Sequence, residues 1–280
     1  MIEKKNISSI ETVKEIFNKN VFNDKNIIGK FLLDESKKIN NISFFPTDET
    51  NTFYNIANAI ISVSILTSTY NAFKEVKGVY DKLPESLIRL AEYNWFIDQN
   101  IHLKQLKKII NQITKGDLAE VDKYLTRYYK TKTIPILEEL IQRHNSRIDI
   151  LSEIKEMING KHYYSAIILI LSQVDGISYD LTKKEKFFLK DKSLKKDKIH
   201  RPEVTSKIIK DAEWATKAFM SPIEDSIPIG KNEKFYKKSI NTFNRHEIMH
   251  GVDISYGTEK NTLKALSLLK YLSDLIINIE

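Results

Sequence analysis

The sequence predicts an all-α protein, and three observations carry that prediction. Only eight glycines and six prolines occur in 280 residues, too few turn formers for a sandwich or an alternating α/β fold, so long helices with short connections are expected. Apolar positions recur at spacings of three and four along much of the chain, the period of an amphipathic helix. The second half contains no convincing run with the two-residue alternation of a strand.

Taken in order, the first forty residues read as helical, with Ile10, Val13, Ile16 and Phe17 on one face. Asn41–Asn51 (NISFFPTDETN) interrupts that pattern with Pro46 and a cluster of turn formers. An apolar, β-branched stretch from Phe53 to about Val79 has the length of a buried helix. Pro84 suits the first turn of the next helix, expected to run to about Trp95. Two shorter helices are expected over Ile101–Thr114 and Asp117–Tyr129. Tyr129–Pro135 (YKTKTIP) then reads as a connection. A boundary there divides the chain into an N-terminal helical domain, 1–132, of unassigned role and a C-terminal helical bundle, 133–280.

Beyond Pro135 the periodicity sharpens. Leu137, Ile141, Ile148, Leu151, Ile154 and Ile158 form a stripe along one helix ending at Asn159–Gly160, and His144 falls within that stripe as a packed histidine. The helix from His162 to about Tyr179 is apolar nearly all round at AIILIL, which predicts a central place in the bundle. A basic insertion, 183–201, follows, then a helix from Pro202 through Phe219 and a loop with two prolines, Ser221–Gly230. Lys231–Phe243 reads as a short basic helix. The last helix starts near Thr258, a residue type that caps helix N-termini, and places Leu269, Leu272, Ile276 and Ile279 on one face.

Composition excludes several classes. Without cysteine there is no disulfide scaffold, thiolate zinc site or cysteine nucleophile. An apolar fraction of 41% is too high for a disordered chain. The N-terminus, MIEKKNISSI, lacks the apolar core and small-residue cleavage site of a secretory signal. No apolar stretch approaches the ~18 residues that a membrane span needs. A soluble cytoplasmic protein without a membrane partner is therefore expected. The formal net charge is +7, and much of it sits in Lys183–Arg201, where nine basic residues face only Glu185, Asp191 and Asp197.

The chemistry-bearing segment is 244–251, NRHEIMHG. His246-Glu247-Ile248-Met249-His250 matches the pattern in which two histidines, about 40° apart on a helix, ligate zinc while a glutamate activates water. Against zinc, only thirty residues remain after His250 to supply a third ligand, and Gly251 is expected to end the helical turn at once. Read from Arg245, the same string is an arginine and a histidine with four residues between them.

That Arg-x4-His arrangement, in a helical bundle just before the last long helix, resembles the signature of HEPN-domain ribonucleases. The surrounding wording, LSQVDGI at Leu171–Ile177 and NRHEIMHG…YGTEKN…KALSLL, is similar to a bacterial branch that includes abortive-infection proteins. The likeness covers roughly residues 135–280. It implies a HEPN-like bundle and a metal-independent endoribonuclease acting as a toxin or anti-phage effector, with no cofactor. Arg245 and His250 would be its catalytic pair, His246 the polar position beside the arginine, and Asn244 a residue that caps the turn or orients a neighbour. It also implies a homodimer with facing motifs, and a neutralising or activating protein partner is a further expectation.

The residue types suit that chemistry. RNA supplies its own nucleophile, the ribose 2′-hydroxyl. The protein must move protons near neutral pH, which histidine does with an ordinary pKa of ~6.5. It must also hold a phosphate as charge builds, which arginine does with two in-plane donors. Asp175 shares a helical stripe with Tyr164, Ile168 and Leu171, so it either pairs with Arg245 or His250 or caps a turn before Gly176, facing water. Lys231, Lys234, Lys237 and Lys238 and the 183–201 insertion are candidate RNA contacts. Phe187 and Phe188 would either stack on bases or dock the insertion to the body. Two other functions fit the sequence: a HEPN-like RNA-binding or partner-docking module without catalysis, and a zinc hydrolase using His246 and His250.

Overall fold

A computed structural model of the chain describes residues 78–79, 81–189, 201–205, 214–224, 229 and 243–277. Its contacts divide the chain into two units, Met1–Asp81 and Lys82–Glu280. The elements expected before residue 78 lie outside the described residues, as do most of the basic insertion and Lys231, Lys234, Lys237 and Lys238.

The described part is all-α, with no β-strand among the described residues. Its helices are α1 (81–91), α2 (Leu103–Thr114), α3 (Leu118–Arg143), α4 (Ile148–Asn159), α5 (Tyr163–Thr182), α6 (Trp214–Glu224), α7 (Arg245–Met249) and α8 (Glu259–Ile277). Helix α8 packs chiefly on α5 and then on α3, while α4 bridges α3 and α5 and α2 lies on α3.

Two boundaries differ from those the sequence predicts. The connection expected at Tyr129–Pro135 is helical: α3 runs unbroken from Leu118 to Arg143 with Pro135 inside it. Pro135 cannot donate to the preceding turn. The helix persists because Tyr129, Thr133, Ile136, Leu137 and Leu140 are all buried along it. Residues 82–132 therefore belong with the C-terminal helices in one unit, and the division of the chain falls at 81/82. Conversely, the single helix expected from Pro135 to Asn159 is two. It breaks at His144 and a 3-10 turn, Asn145–Arg147, in the polar gap between Ile141 and Ile148. Ile148 is accordingly exposed, while Leu151 and Ile154 remain core residues.

Shorter differences have local causes. Helix α1 stops at 91, and Trp95, Phe96 and Ile97 form a buried, non-helical segment. Tyr129 braces that segment, accepting the Asp98 N–H through its hydroxyl at 3.1 Å and stacking on Trp95 at 5.6 Å. Helix α6 continues through Ser221 and Pro222 to Glu224, beyond the point where a loop is expected.

The centre of the bundle is also redistributed. Helix α5 buries Ala166, Ile167, Ile170, Leu171, Val174 and Ile177 but leaves Tyr164, Ile168 and Tyr179 exposed, so one flank faces solvent. The enclosed helix is α8, buried at every residue from Thr262 to Leu275. Thr258 begins it as expected, its hydroxyl accepting the Asn261 N–H at 3.1 Å.

Candidate functional site

The segment 244–251 forms one short helix with a defined start and stop. Asn244 is fully buried and extended, and its side-chain oxygen accepts the His246 N–H at 2.8 Å and the Glu247 N–H at 3.3 Å. This is an N-cap, worth about 1 kcal/mol in typical helices. The stop is a left-handed residue, Gly251 at φ +71°. The Gly251 N–H donates to the Ile248 carbonyl at 3.1 Å and the Val252 N–H to the Glu247 carbonyl at 2.8 Å. Those two bonds close the C-terminus in the glycine-dependent manner the sequence suggests. Ile248, buried, anchors the turn to the body, while His250 and Met249 point outward.

The cap and stop fix where the polar side chains stand. The rings of His246 and His250 meet edge to face, with centroids 4.3 Å apart. Arg245 turns toward α5. Its Nη2 lies 3.6 Å from the Asp175 Oδ2, and its guanidinium carbon sits 4.5 Å from the centre of the Phe188 ring. Its Nε is buried and has no hydrogen-bond partner among the described residues, although the side chain as a whole stays 30% exposed. The other oxygen of Asp175 accepts the Phe188 N–H at 2.8 Å. One carboxylate thus holds both the arginine and the chain segment that carries its aromatic neighbour.

Asn244, Arg245, His246 and His250 lie on or flank the same short helix, and Asp175 of α5 meets Arg245. Asp175 lies within α5, which continues to Thr182, so it is not the cap of a turn before Gly176. Gly176 has a different reason to lack a side chain. An added Cβ would stand 2.4 Å from the Arg147 guanidinium, which lies against the helix there and donates to Gln173 at 2.7 Å and Asp180 at 2.8 Å. Phe187 and Phe188 are buried, packed against each other at 5.2 Å, so they dock the insertion rather than present faces for bases. Phe188 beneath Arg245 is the contact that sequence reasoning missed. The available signal is an aromatic pair inside a lysine-rich run, for which the sequence leaves open base stacking or docking to the body. The docking is observed, and the partner, Arg245, is what the sequence does not name.

Among the described residues no group of three or more His, Cys, Asp or Glu side chains is arranged to hold a metal ion. His246 and His250 stand together without a third such ligand in that set. What the arrangement can do is bind an anion and pass a proton: a half-exposed guanidinium of fixed position lies on the same turn as two imidazoles at the surface.

A second charged cluster lies inside the bundle. Lys270 of α8, fully buried, contacts Asp274 at 2.5 Å, Glu139 at 3.0 Å and Asp98 at 3.8 Å. Arg143 reaches Asp274 at 2.7 Å and Ser273 at 2.9 Å and also pairs with Glu139. His144 bonds the Ser273 hydroxyl at 2.7 Å. Burial pushes its pKa down to about 4, and the Arg143 and Arg147 charges act in the same direction. Burial likewise raises the Asp98 carboxyl above its ordinary value, against the opposing pull of Lys270.

Comparison of the chain with family models, with curated proteins and with solved structures gives no match. No helix among the described residues is long and apolar enough to cross a membrane.

Proposed function

We propose that this protein is a metal-independent endoribonuclease of the HEPN type, cleaving RNA by attack of a ribose 2′-hydroxyl on the adjacent phosphodiester. The observation that supports it is the capped turn of α7, which presents Arg245, half-exposed and fixed by Asp175, beside the facing rings of His246 and His250. In this reading the Arg245 guanidinium binds the phosphate oxygens and stabilises their growing negative charge. His250 accepts the 2′-hydroxyl proton or delivers one to the leaving 5′-oxygen. His246 is the polar partner that orients His250. Asn244 sets the turn, and Asp175 sets the arginine. A role as a toxin or anti-phage effector rests on the sequence resemblance alone. The lysines at 231, 234, 237 and 238 would add electrostatic attraction for RNA.

A homodimer with facing motifs is part of the proposal. Support comes from the exposed apolar side chains of Tyr164, Ile168, Met249, Val252 and Ile254, two of which are linked where the Tyr164 hydroxyl donates to the Ile254 carbonyl at 3.2 Å. Ile254→Glu should shift a dimer toward monomer in sedimentation.

Incubation of RNA with purified protein in EDTA tests the activity. Fragments ending in a 2′,3′-cyclic phosphate are expected, and an oligonucleotide carrying 2′-deoxyribose at the cut position should resist. RNA that is retained but left whole would favour the non-catalytic binding module. Stoichiometric zinc in protein prepared without added metal would favour the hydrolase.

A further inference from the structure

Phe188 lies outside the motif yet touches its central residue. Arginine has four rotatable side-chain bonds, so a guanidinium at the surface is spread over many positions unless something fixes it. At Arg245 two groups among the described residues do so. Asp175 approaches one Nη at 3.6 Å, and the Phe188 ring lies under the guanidinium carbon at 4.5 Å. An aromatic face suits this purpose because it attracts the cation without consuming its N–H donors, which lie in the guanidinium plane and remain available for oxygens.

The platform is itself pinned. Lys183, left-handed at φ +64°, ends α5, and the Thr182 hydroxyl oxygen accepts the Glu185 N–H at 2.9 Å. The Phe188 N–H is held by Asp175, and the next residue's carbonyl, that of Leu189, accepts the Glu203 N–H at 2.8 Å. Phe187, 1% exposed, fills the core beside it and meets Phe188 edge to face. Filling space is thus the work of Phe187, while the ring of Phe188 faces the arginine.

We propose that Phe188 is a positioning residue for Arg245, holding the guanidinium where it can take an RNA phosphate in the transition state. This rests on the nuclease reading above. The variant pair is Phe188→Leu, which keeps an apolar side chain but removes the ring, and Phe188→Tyr, which keeps the ring. In single-turnover cleavage at saturating protein, Phe188→Leu should be slower by roughly tenfold, with RNA affinity changed by less than about threefold. Phe188→Tyr should stay within about twofold of wild type. Cleavage by Phe188→Leu at the wild-type rate, or an equal loss in both variants at unchanged melting temperature, overturns the proposal.

A second measurement needs no cleavage. The Arg245 Nε–H resonance should move in Phe188→Leu as the ring current is lost, and far less in Phe188→Tyr. An unmoved resonance overturns the stack's role even if RNA is cut. Wild-type protein that leaves RNA whole refutes the nuclease reading, with the resonance still reporting on Phe188.

Discussion

The chain carries the dipeptide Arg-His twice, at Arg143-His144 and at Arg245-His246, and the two pairs have opposite surroundings. Arg143 is engaged by Asp274, Glu139 and Ser273, and its histidine is sealed against Ser273 with a pKa near 4. That imidazole stays neutral at physiological pH and has no access to substrate. Arg245 has one carboxylate at 3.6 Å and an aromatic face, and beside it two imidazole rings meet at the surface. Residue identity is shared and burial is not. The first pair closes the end of α3 against α8, and the second can meet a ligand.

The largest contrast is expected from removing the cation at the heart of the sealed cluster. Lys270→Ala leaves Asp274, Glu139 and Asp98 facing one another around an empty position, and should cost about 3–5 kcal/mol in denaturant unfolding. Arg245→Ala should reduce RNA cleavage by about 100-fold or more, the scale of a lost transition-state donor. Its unfolding free energy should change by less than about 1 kcal/mol, because a half-exposed ion pair contributes little. A destabilisation like that of Lys270→Ala would erase the contrast.

A pH titration sharpens it. The folded His144 has a pKa below the unfolded value, so the neutral form is favoured by folding. Its contribution is fully present above about pH 6.5 and is lost as pH falls toward 4. Wild type should lose on the order of 2 kcal/mol more across that window than His144→Gln, measured by unfolding at fixed pH values. Asn244→Ala should then cost about 1 kcal/mol as the cap of α7 is lost. The smallest effect belongs to Gly176→Ala. Displacing Arg147 and gaining a better helix former offset one another to within about 1 kcal/mol. The change is better seen at Asp180, whose carboxyl the Arg147 hydrogen bond holds low. Its titration should move up toward the ordinary carboxylate value when followed by NMR.

Much of this was legible in the sequence, for reasons that differ by residue. The all-α class followed from turn-former scarcity and spacing, and the α7 turn from Asn244 and Gly251, because caps are local chemistry written in one or two residues. Asp175 was found because a carboxylate on an apolar stripe needs a partner. The unbroken α3 was not legible, since YKTKTIP is a weak helix sequence stabilised by burial of Tyr129 and Ile136 against distant elements. The enclosure of α8 is hidden for a related reason: Lys264, Ser267, Lys270, Ser273 and Asp274 are polar or charged residue types that are mostly found at the surface, yet all are buried. At Lys264 that burial pushes the amine's pKa down to about 8. Phe188 belongs with these, its meaning set by a contact with Arg245, 57 positions away in the numbering.

The most direct test of the central claim is cleavage by His250→Ala in EDTA, with melting temperature recorded on the same samples. Wild type is expected to cut RNA and the variant to leave it whole while melting within a few degrees of wild type. Equal cutting by both proteins would contradict the assignment of the α7 turn as the catalytic centre.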